Sequence, residues 1–220
     1  MCDSPAGNGG FPGNLHVEVS YRLDDDGTLM INYEASSDAP TPLNLTSHPY
    51  FNLNGSLGDI GKHELTIYAN TYLSIDQDRL PVTAKPVQGV FDFRQPESLG
   101  NRLTSEDEQL VLASGYDHCF CLNPDKNGKR LRKAAHVVDP ESGRQLAIAA
   151  TAPGLQFYSG NFLDDVMGRK DQGRKCYAKH DGFCLEPQAF PNQINFPDAE
   201  SVIVRPGQVY RQTTTYRVFV

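Results

Sequence analysis

Short runs rich in β-branched and aromatic residues recur along the chain, separated by clusters of Gly, Pro, Asn and Asp, which is the pattern of antiparallel β structure. Leu15–Leu23 (LHVEVSYRL) alternates apolar and polar positions, meets the turn Asp24-Asp25-Asp26-Gly27, and continues into 28–35 (TLMINYEA). This spacing predicts a β-hairpin with a long turn. Further strands are predicted at 41–46, 64–68, 120–122, 132–138, 145–150, 155–158, 182–186, 201–204 and 210–218. So many short strands predict an all-β fold, a large antiparallel two-sheet β-sandwich with little helix.

Two turns carry clear chemistry. Pro124-Asp125-Lys126-Asn127-Gly128 offers residues that tolerate a left-handed backbone, and Asp139-Pro140-Glu141-Ser142-Gly143 joins a preset φ to a flexible glycine. Both are expected at the surface. Between Asp76 and Gly115 the pattern weakens at Pro81, Pro86 and Pro96, and 97–112 reads as a short helix or a long loop. No boundary is visible there, so residues 1–220 are read as one domain. The Gly-, Pro- and Asn-rich residues 1–13 read as a frayed tail or as the start of a chain that begins inside a larger fold.

Composition narrows the function classes. Hydrophobic residues make up 39% of the 220, enough to bury a core and to exclude disorder. A formal net charge of −7 and the lack of any basic run beyond Asn127-Gly128-Lys129-Arg130-Leu131-Arg132-Lys133 argue against nucleic acid as a partner. That stretch reads as a solvated hairpin. Nothing approaches the 18 or so consecutive apolar residues of a membrane span, and MCDSPAGNGG lacks the features of a secretory signal. Cys2, Cys119, Cys121, Cys176 and Cys184 form an odd set without zinc spacing and read as free thiols, Cys119 and Cys121 sharing one strand face. A reducing cytoplasm is the expected location.

Polar residues set in apolar surroundings must be hydrogen-bonded or functional. Four segments qualify. LNLTSHPYFNL places His48 at the expected end of a strand, where a lone histidine is more often a packing residue than a chemical one. GYDHCFCL sets Asp117 and His118 before an apolar strand, and by composition alone Asp117 caps a turn while His118 faces solvent. GFCLEPQAF places Glu186 between an apolar strand and Pro187, where an unpaired buried carboxylate is costly. APGLQFYSGNFL mixes Gln156, Tyr158 and Asn161 with Phe157 and Phe162, a combination that suits the apolar faces and polar rim of a sugar, or a packed turn.

Taken in order, NLTSHPYFNL, GYDHCFCL, LQFYSGNFL, GFCLEPQAFPNQIN and VRPGQVYRQTTTYRVF resemble the galactose mutarotase (aldose 1-epimerase) family across essentially the whole chain. The resemblance implies a β-sandwich that interconverts α and β anomers of aldoses such as galactose and glucose. It implies His48 as general acid and Glu186 as general base, with Asp117 holding sugar hydroxyls and Gln156 and Tyr50 lining the pocket. Ser47 stands where the family commonly has Asn. The resemblance calls for no metal and no cofactor, and its partner is a small aldose. Family members also carry an N-terminal portion that supplies an Arg and a first His, and neither is placed in this sequence. The expectation is therefore a chain without that portion, whose exposed strand edges invite self-association. A non-catalytic sugar-binding module on the same fold is the alternative. A hexose 6-phosphate enzyme would need a basic cluster that these motifs do not offer.

Overall fold

A computed structural model describes residues 1–55, 58–125, 131–163, 166–167 and 176–220. Its strands are β1 (Cys2–Ser4), β2 (Leu15–Leu23), β3 (Thr28–Ser37), β4 (Thr41–Pro42), β5 (Glu64–Ile67), β6 (Ala69–Ile75), β7 (Pro81–Pro86), β8 (Glu97–Ser98), β9 (Asp117–Leu122), β10 (Arg132–Val138), β11 (Gln145–Ala150), β12 (Gly154–Tyr158), β13 (Val166–Met167), β14 (Cys176–Tyr177), β15 (Cys184–Gln188), β16 (Ile203–Val204) and β17 (Tyr210–Phe219). Two short helices, α1 (Leu99–Leu103) and α2 (Glu108–Ala113), lie in the region expected to be helix or loop. No helix among the described residues is long and apolar enough to cross a membrane.

Two antiparallel sheets carry the fold. The larger runs β1-β2-β3-β17-β11-β10-β5-β8, and the smaller runs β15-β12-β9-β6-β7. One apolar core joins them: Ile31, Ile67, Val137, Ile148 and Tyr216 come from the larger sheet, and Tyr72, Phe120, Leu155, Phe157 and Leu185 from the smaller. The Tyr216 hydroxyl donates across the interface to the Leu185 carbonyl at 3.2 Å. The chain is thus the expected β-sandwich.

Where apolar and polar positions alternate most strongly, the observed strands match the expected ones. The hairpin of β2 and β3 forms as expected, with its turn closed from Gly27 N to Asp24 O at 3.1 Å, and β10 and β11 have the predicted bounds. Their connection is the turn at Asp139, whose carboxylate accepts from Ser142 N at 3.1 Å and Ser142 Oγ at 2.5 Å. Asp139 is buried, not at the surface, because it serves these donors. Of the other predicted turn, residues 126–130 lie outside the described residues, as does most of the basic stretch 127–133.

Several expectations are corrected. Residues 1–13 do not open as a frayed tail. β1 pairs with Leu15, His16 and Val17, Gly7 turns the chain back at φ 86°, and the Asn14 side chain accepts from Ala6 N at 2.9 Å. The predicted strand at 41–46 stops at Pro42, since beyond it side chains rather than a backbone ladder hold the chain. The strand expected at 182–186 runs Cys184–Gln188, and a 3-10 turn over Ala199–Val202 replaces the first half of the one at 201–204, leaving β16 as the second. The prolines obscure β7 in the sequence, and it is an edge strand, where Pro81 and Pro86 leave no central ladder broken. At the far end of β6, the Gln109 amide of α2 accepts from Ile75 N at 2.7 Å and donates to Ile75 O at 3.0 Å, standing in for a strand partner.

Phe157 is fully buried between Tyr116, 4.8 Å away between ring centroids, and Phe93 at 5.8 Å. Phe157→Ala removes a ring at the centre of β12 and is expected to destabilise the fold by about 3–5 kcal/mol. A urea unfolding curve followed by far-ultraviolet circular dichroism, with the midpoint shifted at unchanged slope, checks it.

Candidate functional site

Strand alternation builds one face of polar groups on the smaller sheet. Leu185, Leu155, Phe157 and Phe120 point into the core, so their neighbours along β15, β12 and β9 point the other way. The registers then align two rows on that opposite face. Glu186 faces Gln156, which faces Cys119; Cys184 faces Tyr158, which faces Asp117. Gly115, at φ 139°, starts the turn into β9, and a Cβ there would collide with the Asn161 and Ser159 side chains. Asn161 itself is a structural tie: its amide nitrogen donates to Ala113 O and Tyr116 O, both at 2.9 Å.

β15 is the edge of this sheet, and its outer side is closed by the segment that carries His48. Pro187 has no N–H to offer a ladder, and edge strands are where proline is tolerated. Side chains do the joining instead. Asn44 donates to Ala189 O at 3.1 Å and accepts from Ala189 N at 2.9 Å, and Thr46 Oγ1 donates to Pro187 O at 2.9 Å. Further along, Phe51 and Phe183 exchange a pair of backbone hydrogen bonds of 2.8 and 2.9 Å. Between these anchors His48 lies beside Glu186, with Nε2 to Oε1 at 3.4 Å. His48 therefore stands on an irregular segment and not at a strand end.

The five sequence-predicted residues share this face. Glu186 is buried while His48 is 51% exposed by side chain, so one partner is dry and the other open to solvent. Desolvation pushes the Glu186 carboxyl up to about 7; His48 opposes that rise and the Asp117 charge adds to it. Gln156 Nε2 donates to Asp117 Oδ1 at 2.7 Å, and burial holds Asp117 above the usual carboxylate range, against the opposing pull of that hydrogen bond, Arg79 and His48. Gln156 Oε1 is buried with no hydrogen-bond partner among the described residues. Tyr50 stacks on His48 at 5.2 Å, and burial pushes its phenol up to about 12.

Composition misplaced two neighbours. Asp117 is not a turn cap but lies on β9 opposite Tyr158, hydrogen-bonded to Gln156, and His118 is fully buried on the core side of the same strand, pushed down to about 3 by burial. Tyr158, from the segment suited to a sugar, joins the site, and the structure adds Arg79. Tyr158 stands 6.3 Å from His48 and 6.1 Å from Tyr50 between ring centroids, and its hydroxyl accepts from Phe162 N at 2.9 Å. Arg79, in the left-handed region at φ 62°, lays its guanidinium 5.0 Å above the Phe162 ring. Counting by two from Gln156 and Glu186 finds Tyr158 and Cys184; no sequence signal points to Arg79.

Chemically, the site sets a carboxylate that titrates near neutrality against a solvent-accessible imidazole, on a floor of amide, carboxylate and phenol. Such a pair can take a proton at one atom while giving one at another. His48, Cys184 and Glu186 also form a set of metal-ligating types within 4.8 Å of one another.

The aldose 1-epimerase family model matches residues 1–217. The chain is 44% identical to the galactose mutarotase of Homo sapiens over 220 residues, which is 99% of this chain and 61% of that protein. It is 40% identical to the aldose 1-epimerase of Escherichia coli over 218 residues, 97% of this chain and 61% of that one. Among solved structures, a galactose 1-epimerase from Lactobacillus acidophilus superposes with a TM-score of 0.85 at 29% identity, covering 99% of this chain and 61% of the other. The chain thus spans about three fifths of the length of these relatives. The shares measure matched length and carry no position, so the expected absence of an N-terminal portion gains no support from them. With a family model matched over nearly its full length and relatives at 40 to 44% identity, the chain belongs to the aldose 1-epimerase family.

Proposed function

We propose that the chain interconverts the α and β anomers of an aldohexose such as galactose or glucose, with Glu186 as general base and His48 as general acid. The observation that carries this reading is the buried Glu186 carboxyl, raised to about 7, held 3.4 Å from a half-exposed imidazole. A base that titrates near the working pH combines a populated ionised form with real proton affinity.

The anomeric carbon bears two oxygens, the O1 hydroxyl and the ring oxygen. Glu186 takes the O1 proton, the electron pair forms the C1 carbonyl, the bond from C1 to the ring oxygen breaks, and His48 protonates that oxygen. The product is the open aldehyde. Rotation about the C1–C2 bond presents the other carbonyl face, and the same proton transfers in reverse close the ring to the other anomer. Each group ends in the state in which it began.

Asp117 and Gln156 take the hydroxyl-binding role. Asp117 accepts, and the unpartnered Gln156 Oε1 is a further acceptor for a sugar hydroxyl. Tyr50, Tyr158 and Phe162 offer aromatic surface to the C–H face of the ring. The ligand class is a small neutral aldose; nucleic acid has no part in this reading, and the cytoplasm is the proposed location.

Polarimetry of freshly dissolved α-D-galactose or α-D-glucose tests the reading. Glu186→Gln and His48→Asn are each expected to lower kcat/KM for mutarotation by about 10²–10⁴-fold with the circular dichroism spectrum unchanged. Saturable sugar binding by the wild-type chain with no acceleration of mutarotation overturns it. The pH profile follows from the same group. Below about 7 the Glu186 carboxyl is protonated and cannot accept the O1 proton, so kcat/KM falls as pH is lowered through that value. A rate that stays flat from pH 8 down to pH 5 removes Glu186 from the role of base.

A further inference from the structure

The acid–base pair has a third neighbour that the proposed mechanism does not use. Cys184 lies two residues before Glu186 on β15, so both side chains leave the strand on the same face. Its thiol is fully buried, and one ligand atom each from His48, Cys184 and Glu186 lies within 4.8 Å of the other two. We propose that these three side chains form a binding site for a soft divalent cation, zinc or cadmium, and that its occupation inhibits the chain.

Geometry favours the site. Zinc takes imidazole nitrogen and carboxylate oxygen at about 2.0–2.2 Å in a tetrahedral arrangement, which sets those two ligand atoms roughly 3.3–3.5 Å apart. The His48 Nε2 to Glu186 Oε1 separation is 3.4 Å. Thiolate sulfur at about 2.3 Å from the ion requires roughly 3.5 Å to each of the others. Starting within 4.8 Å, Cys184 has at most about 1.3 Å to close, within reach of a side-chain rotation.

The donor set also selects the metal. Thiolate and imidazole favour zinc and cadmium over magnesium and calcium, which take oxygen ligands. Three protein ligands leave a fourth position for water, as in open zinc sites. Gln156 faces Glu186 across the β12–β15 register, and its unpartnered Oε1 is an acceptor for the hydrogens of that water. The half-exposed His48 ring is the entry side, while Cys184 and Glu186 are the buried ones. On binding, the thiol proton leaves to solvent and the sulfur lone pair goes to the ion. With the Glu186 carboxylate and the His48 ring nitrogen both ligated, neither can exchange a proton with a sugar. The inhibition rests on the acid–base reading above; the binding does not.

The test uses the full chain after treatment with chelator, with the exposed Cys2 and Cys176 replaced by Ser in every arm so that surface thiols do not report. Titration with cadmium chloride is followed by the ultraviolet charge-transfer band of cadmium thiolate, and titration with zinc chloride by calorimetry. The expected result is one ion per chain with the thiolate band. Cys184→Ser should abolish the band and weaken zinc binding at least tenfold, and His48→Ala should weaken binding while keeping the band. In polarimetry zinc should stop mutarotation and EDTA restore it, whereas Cys184→Ser retains activity and resists zinc. Absence of the band, or zinc affinity unchanged in Cys184→Ser, overturns the proposal. A chain that shows the band yet never accelerates mutarotation overturns the proposed activity and leaves the metal site standing.

Discussion

The two-residue period of a β-strand is the constraint on which the site depends. Along β15, β12 and β9, every residue committed to the core fixes its neighbours on the opposite face. Leu185, Phe157 and Phe120 are almost completely buried among the aromatic and aliphatic residues shared by both sheets. A slip of one residue in any of these strands would bury Glu186, Gln156 or Asp117 among those rings and expel a phenylalanine or leucine. The core therefore sets the register, and the register sets the polar row. The hydrophobic effect that stabilises the fold and the alignment of the candidate base with Gln156 and Asp117 are one requirement seen from two faces of a sheet.

Bringing His48 to that row needs a second device, because it is 138 positions from Glu186 and belongs to no strand of the smaller sheet. Pro187 denies the edge a regular backbone partner, and the chain from Asn44 to Phe51 is held by side-chain amide and hydroxyl groups at one end and a single backbone bridge at the other. Gln212, from the larger sheet, donates to both Leu45 O and Pro187 O at 3.0 Å and so clamps the two segments together. An irregular segment fixed at several points can present an imidazole at an angle that a regular strand, with its side chains perpendicular to the sheet, would not allow.

This arrangement explains what could be read from the sequence. Strands such as β2, β10 and β11 were legible because one face is more covered than the other, half-buried against exposed along the first part of β2 and buried against half-buried along most of β10 and all of β11, which leaves an alternation. β6 was not, since four successive residues, Tyr72 to Ile75, are buried and alternation disappears. The paired start of the chain was missed because the Asn14 side chain and a glycine turn hold it, and neither leaves a hydrophobic pattern. At the site, motif order was enough to name His48, Glu186, Asp117, Gln156 and Tyr50, whereas Arg79 comes from a turn without any motif. Its position depends on the Asp76 carboxylate, which accepts from Asp78 N and Leu80 N, both at 2.9 Å, a local fold that composition does not announce.

The histidines show why residue type alone could not decide. His63 and His118 are fully buried, and burial lowers the proton affinity of both. His63 accepts from Leu53 N at 2.8 Å through Nε2 and meets Ile60 O at 3.2 Å through Nδ1, so the neutral ring already has its donor and its acceptor placed. A histidine in that state holds a loop and has no proton to trade, since charging it would turn the accepting nitrogen into a donor facing the Leu53 N–H. His48 differs in two ways that the sequence does not display: half its side chain meets solvent, and its nearest charged neighbour is a carboxylate. Solvent access allows the ring to regain a proton after giving one up, and the Glu186 carboxylate faces its Nε2 at 3.4 Å. The apolar neighbours that drew attention to His48 and His118 are thus the wrong discriminator. What separates a ring that ties the fold from one that can do chemistry is the number of its nitrogens left free and facing a titratable partner.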